Sequence, residues 1–142
     1  MHGWENNILR VRRTELCYQR RSSLGIHSRI STLELDGREL TPDLSVYPKT
    51  DVDLVHEEVR VTDPPLLAVE IASPTQNVQD LVQKIEFLLD VGVQSCWLVQ
   101  PPLRTVTVFP GHMDGTTVSD GTLADPVLEI EIDVRDVFDP DA

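Results

Sequence analysis

Glu70 is the one charged residue in residues 66–72, where six apolar residues surround it. Continuity of that kind marks a strand covered on both faces, where water is scarce. An unpartnered ionised carboxylate in such a place is costly, and it either takes up a proton or finds a cation. The partner could be a metal ion, a lysine or an arginine. Two residues elsewhere in the chain make the metal concrete. Asp43 follows Pro42 at the start of an earlier apolar stretch, and Lys84 lies on a helical pattern just downstream.

Two carboxylates on neighbouring strands can share one hard cation. Mg²⁺ typically takes one or two protein carboxylates and leaves its other positions to water and substrate oxygens. The backbone carbonyl of Ile71 offers a further oxygen. Such an ion lowers the pKa of bound water and neutralises charge that builds on a phosphate. On a helical wheel Lys84 lies roughly 100° from the centre of the apolar stripe, at its border. From there an ammonium can run along a helix–sheet seam toward the carboxylates, position water and offset negative charge. The alternative is a surface lysine paired with Asp80 one turn earlier.

The elements that must position these residues are legible in outline. Residues 5–21 lack proline and glycine and read as a helix. Residues 30–35 read as a strand, and Asp36-Gly37 turns the chain back. Residues 44–47 form a short strand closed by Pro48, and residues 50–65 a polar, acidic loop with a helical piece at 54–59. After the strand at 66–72, Ser73-Pro74 breaks the pattern. Val78, Leu81, Val82, Ile85, Leu88 and Leu89 then give the clearest helical periodicity in the chain, over 78–91. Asn77 suits its N-cap and Gly92 its end. Residues 96–99 and 104–109 read as strands joined at Pro101-Pro102. Residues 113–121 read as a polar hairpin or loop, 128–132 as an alternating strand, and 133–138 as a last helical turn. Strands with amphipathic helices in this order indicate an α/β (α+β) fold with a mixed central sheet flanked by helices. The strand at 66–72 is central in it, and the helix at 78–91 crosses over to place the next strand beside it.

At 142 residues the chain is expected to form one domain, with a basic N-terminal helical segment at 1–29 and a core at 30–138. Two cysteines cannot build a four-thiolate site, and an intracellular, cytoplasmic location is the expectation. No apolar run is long enough for a membrane span, and no signal peptide is evident. The net charge of −12 argues against bulk attraction to nucleic acid. However, six of the twelve basic residues fall in the first 29 positions, opposed there only by Glu5 and Glu15. That asymmetry marks either one basic face or a solvated arginine-rich helix.

His2, His27, His56 and His112 are scattered without ligand spacing. Ser73 precedes a proline and suits a turn, Gln76 and Gln79 lie near the candidate site and either touch substrate or are ordinary solvated polar residues, and Trp97 is most simply core.

An ordered set of short segments carries a resemblance: Pro42-Asp43, Val69-Glu70-Ile71-Ala72-Ser73-Pro74, Lys84, Gly92-Val93 and Trp97-Leu98-Val99. With Leu35-Asp36-Gly37, Val46-Tyr47-Pro48-Lys49 and the end at 134–138, the set resembles the restriction-endonuclease family called Uma. That family lies in the restriction-endonuclease-like superfamily with the PD-(D/E)xK motif. The resemblance covers residues 30–138. It implies a restriction-endonuclease-like mixed sheet and Mg²⁺-dependent hydrolysis of nucleic-acid phosphodiesters, with Mn²⁺ as a possible substitute. It casts Asp43 and Glu70 as metal ligands with the Ile71 carbonyl, and Lys84 as catalytic. The lysine expected two residues after Glu70 in the parent motif is replaced by Ala72, and Lys84 takes its place from the next helix. DNA is the foremost expected partner, cut by a homodimer. Two rivals stand beside this reading. One is an inactive nuclease-fold module for protein interaction. The other is a metal-dependent hydrolase of a small phosphorylated molecule.

Overall fold

The computed structural model describes residues 27–29, 32–47, 60–61 and 63–138. The helix expected over 5–21 and the helical piece at 54–59 lie outside them, as do Glu5, Glu15, His2, His56 and Lys49.

Six strands form the main sheet, in the order β1-β4-β6-β7-β8-β9. They are β1 (His27–Arg29), β4 (Leu44–Tyr47), β6 (Leu67–Ile71), β7 (Ser95–Gln100), β8 (Thr105–Phe109) and β9 (Thr116–Val118). A three-stranded sheet joins β2 (Thr32–Leu35), β3 (Arg38–Leu40) and β5 (Arg60–Val61), and a hairpin joins β10 (Thr122–Asp125) to β11 (Ile130–Asp133). Helix α1 spans Val78–Asp90, and a last turn of helix, α2, spans Arg135–Phe138.

The central strand is β6, with every residue buried. It runs antiparallel to β4, with Leu44 opposite Val69, and parallel to β7, with Glu70 opposite Leu98. A parallel neighbour needs a crossover, and α1 supplies it. Side chains alternate across the sheet. Leu67, Val69 and Ile71 face a cluster with Trp97, Val99, Leu123, Ile130 and Val137. Ala68 and Ala72 face the opposite cluster, against Leu81, Ile85 and Leu88 of α1. Glu70, between the two alanines, therefore points to the helix side. The small alanines let α1 come close.

The ends of α1 follow from local chemistry. Asn77 caps it, its side chain accepting the Gln79 amide at 2.8 Å. Val91 closes it with its amide on the Phe87 carbonyl at 3.1 Å, and the Gly92 amide takes the Leu89 carbonyl at 3.3 Å. Gly92 follows with φ of +116°, and a Cβ there would lie 3.1 Å from Pro64 Cγ. The Asp36-Gly37 turn has positive φ at both residues, 50° and 78°, as a two-residue hairpin turn requires.

Strands β1, β5 and β10 fall where the sequence reading placed none, and β11 starts later than expected. β5 has two residues and lies in a stretch expected to be loop. β10 alternates exposed and buried over residues 122–125, to which the sequence reading assigned no element. β11 starts at Ile130, because residues 126–129 form the turn that reverses the chain.

Asp125 locks that turn to the main sheet. It is 1% exposed. One carboxylate oxygen accepts from the Ser95 hydroxyl and from Trp97 Nε1 at 2.8 Å. The other accepts the amides of Val127 and Leu128 at 3.0 and 3.2 Å. Trp97 is thus core, as expected, with its polar edge satisfied. Asp125→Ala strands these donors in an apolar layer and is expected to cost about 3 kcal/mol in chemical denaturation. Asp125→Asn, which keeps the accepting oxygen, is expected to recover part of that loss.

Candidate active site

Asp43 and Glu70 meet because β4 and β6 are neighbours. Asp43 sits in the bend just before β4, with Pro42 buried ahead of it. Its Oδ2 accepts the Ile71 amide at 2.7 Å. The register that pairs Leu44 with Val69 would continue to Pro42 opposite Ile71. Proline has no N–H to donate, so the ladder ends there and the Asp43 carboxylate takes the free amide instead. The same step denies the Ile71 carbonyl a donor from Pro42. The proline and aspartate thus anchor one carboxylate at the end of β6.

Lys84 reaches this place from α1. Its ammonium donates to Glu70 Oε1 at 3.2 Å and to the Thr41 carbonyl at 3.3 Å. It also lies 3.1 Å from Glu70 Oε2, as an ion pair with the lysine side chain 23% exposed. Oε2 has no partner among the described residues other than this ammonium, and a carboxylate oxygen with one partner keeps a second lone pair to offer. The pairing with Asp80 that spacing alone allowed is not made. The lysine follows the helix–sheet seam to Glu70, as its place at the stripe border permits.

Burial dominates the electrostatics of Glu70. It pushes the carboxyl up from 4.5 to about 7, against the opposing pull of the Lys84 charge and hydrogen bond, while the Asp43 charge adds to the rise. The Asp43 carboxylate is therefore close enough to be felt at Glu70. Cys96 lies on the same face of the neighbouring strand. Burial, then the charges of Glu70 and Asp125, hold its thiol well above the usual range, so it is an inert core residue.

The donor types suit a hard divalent cation: two carboxylates, one of them buried and the other anchored on the next residue's amide. Among the described residues no group of three His, Cys, Asp or Glu side chains gathers in one place. A site here would be one of few protein ligands, open to water and substrate. Gln76 serves the turn before α1, its Oε1 accepting the Ser73 amide at 3.0 Å. His112 Nδ1 accepts the Asp114 amide at 3.2 Å within its own loop. A cavity lined by Leu35, Asp36, Pro64, Asp90 and Val91 lies at the far end of α1, and none of the three site residues lines it.

A mixed sheet with a crossover helix that delivers a lysine to a buried strand carboxylate is similar to a nuclease fold. The model of the family described as "Uma2: Putative restriction endonuclease" matches residues 4–134, and this chain belongs to that family. A solved structure described as a putative nuclease belonging to DUF820, from Anabaena variabilis ATCC 29413, is similar in fold. Its TM-score is 0.75 at 18% identity, covering 97% of this chain and 82% of that chain. No curated protein sequence matches. No helix of the described residues is long and apolar enough to cross a membrane.

Proposed function

We propose that the protein is a metal-dependent endonuclease that hydrolyses phosphodiester bonds in DNA, with Asp43, Glu70 and Lys84 as its catalytic residues. The observation that supports this reading is that Lys84 pairs with the buried Glu70 carboxylate while Asp43 holds the amide of the next residue, Ile71, so three side chains from separate elements come to one end of β6. Asp43, Glu70 and the Ile71 carbonyl would hold Mg²⁺ or Mn²⁺. Such an ion supplies an activated water and neutralises charge on the scissile phosphate.

The chain's own residues prepare that chemistry. The Ile71 amide fixes the Asp43 carboxylate in orientation. Lys84 offsets the burial that would otherwise protonate Glu70 still more. The Thr41 carbonyl holds the ammonium in the seam, where its remaining donor can orient water or meet a phosphate oxygen. Replacement of the parent-motif lysine by Ala72 is consistent with this. Ala72 leaves room for α1 to pack, and α1 brings the amine. A homodimer would let two such sites cut the two antiparallel strands of a duplex. A cytoplasmic location, where DNA and reduced thiols coexist, fits the same reading.

The test is cleavage of plasmid, single-stranded DNA and RNA with Mg²⁺ or Mn²⁺. Asp43→Ala and Lys84→Ala are each expected to lower the rate by about 10²-fold or more, with an unchanged circular dichroism spectrum. Variants that cut as well as the parent would refute the residue assignment. A parent that cuts none of the three substrates would favour the interaction-module reading.

A further inference from the structure

We infer that Arg38, stacked on Phe87 beside Lys84, is a phosphate-contact residue that holds the DNA backbone next to the cut. This rests on the nuclease reading above and extends it to how the substrate is gripped.

The β2–β3 hairpin runs along one border of α1 in a regular register. Thr41 meets Lys84, Arg38 meets Phe87, and Leu35 and Asp36 share a cavity with Asp90 and Val91. β3 thus runs antiparallel to α1, with its Thr41 end at the carboxylates. Lys84 and Phe87 are three residues apart, so they share a helix face about 4.5 Å apart along the axis. Arg38 lies about 10 Å along the strand from Thr41. Nucleic-acid phosphates advance about 3.4 Å along the axis per strand, so Arg38 lies a few nucleotides from the reacting phosphate.

Arg38 is exposed, with its guanidinium carbon 4.1 Å from the centre of the Phe87 ring. Stacking uses the face of the guanidinium and leaves its N–H edge free. It also fixes the fork before a ligand arrives. Arg38 makes no ion pair with the described residues, although the chain carries 24 acidic residues. Arg135 is the contrast, since its donors are spent on Asp133 at 2.8 and 3.2 Å. Arg38 is also the only cation among residues 32–47, where Glu34, Asp36, Glu39 and Asp43 are the acids. An anionic backbone approaching this hairpin therefore has one place to bind, and a rigid guanidinium fork suits phosphate oxygens.

Binding of a short labelled DNA duplex is measured by anisotropy over a salt series, with Ca²⁺ in place of Mg²⁺ so that binding is read without cleavage. Arg38→Gln is expected to weaken binding about tenfold and to reduce the salt slope by about 0.9, the value of one phosphate contact. In cleavage, KM should rise more than the turnover rate falls. Arg38→Lys should keep the slope and recover part of the affinity. Phe87→Leu, which keeps the apolar contact but removes the platform, should lower affinity with the slope retained. A parent that binds the duplex while Arg38→Gln binds it equally, with the same slope, overturns the inference and leaves the nuclease reading standing. So does an Arg38→Gln variant that loses only thermal stability. A parent that neither binds nor cuts the duplex overturns both.

Discussion

Glu70→Gln is expected to lower metal-dependent cleavage by about 10³-fold or more, without loss of fold stability. The two effects have different sources. Activity would fall because a neutral amide cannot replace a carboxylate beside Asp43 in gripping a divalent cation. Stability would hold because the native charge is costly where it stands. Glu70 is 2% exposed, and burial is the largest cause of its raised pKa. Removing one member of a buried ion pair usually destabilises, since it strands the other charge. Here the stranded partner is Lys84, which is 23% exposed and still has the Thr41 carbonyl. It can recover water. The readouts are Mg²⁺-dependent cleavage, the Mg²⁺-induced rise in Tm, and denaturant unfolding above pH 7. A Glu70→Gln protein markedly less stable than the parent would show that the carboxylate holds the fold rather than the cation. One that still cuts would remove Glu70 from the mechanism.

The same burial explains why the site was readable. A seven-residue apolar run says that both faces of a strand are covered, so a carboxylate inside it has to be explained. Asp43 is singled out by its place after Pro42 at a strand start and by the family resemblance; that the proline ends the ladder and leaves the Ile71 amide for the aspartate is seen only in the structure. Lys84 was readable because the periodicity of α1 is strong enough to place it at the stripe border, within reach of the seam. Spacing alone could not decide between Glu70 and Asp80 as its partner. That choice depends on how closely α1 packs on β6, which Ala68 and Ala72 set from another element.

Asp125 shows where such reading stops. Before Pro126 it has the signature of an ordinary turn residue, and it does make a turn, through the Val127 and Leu128 amides. Its other donors, Ser95 and Trp97, come from β7, and no local pattern connects them to it. β5 and β10 were missed for a related reason. With two residues in one and exposed alternate positions in the other, each owes its place to a partner strand rather than to its own apolar content. Arg38 carries no sequence signal of its own, since only the register of β3 on α1 sets it over Phe87.

The pH dependence of stability follows from Glu70 with a definite sign. In the unfolded chain its carboxyl keeps the ordinary value of 4.5, and in the folded, metal-free protein burial raises it to about 7. Between those values the folded state holds the extra proton. Stability is therefore greatest below the lower value and falls as pH rises through the window. It levels off above about 7, and the full difference is about 3 kcal/mol. Glu70→Gln has no such proton, so the difference between parent and variant isolates the effect from every other titrating group. Mg²⁺ should act in the opposite sense. It competes with the proton for Glu70, so its stabilisation of the parent should grow as pH rises toward about 7 and then level off, and cleavage should rise along the same limb. Denaturant unfolding across this range, with and without Mg²⁺, measures both. If parent and Glu70→Gln show parallel profiles without metal, the carboxyl is already ionised well below neutrality. The buried, half-satisfied acid on which the cation site is argued would then not exist.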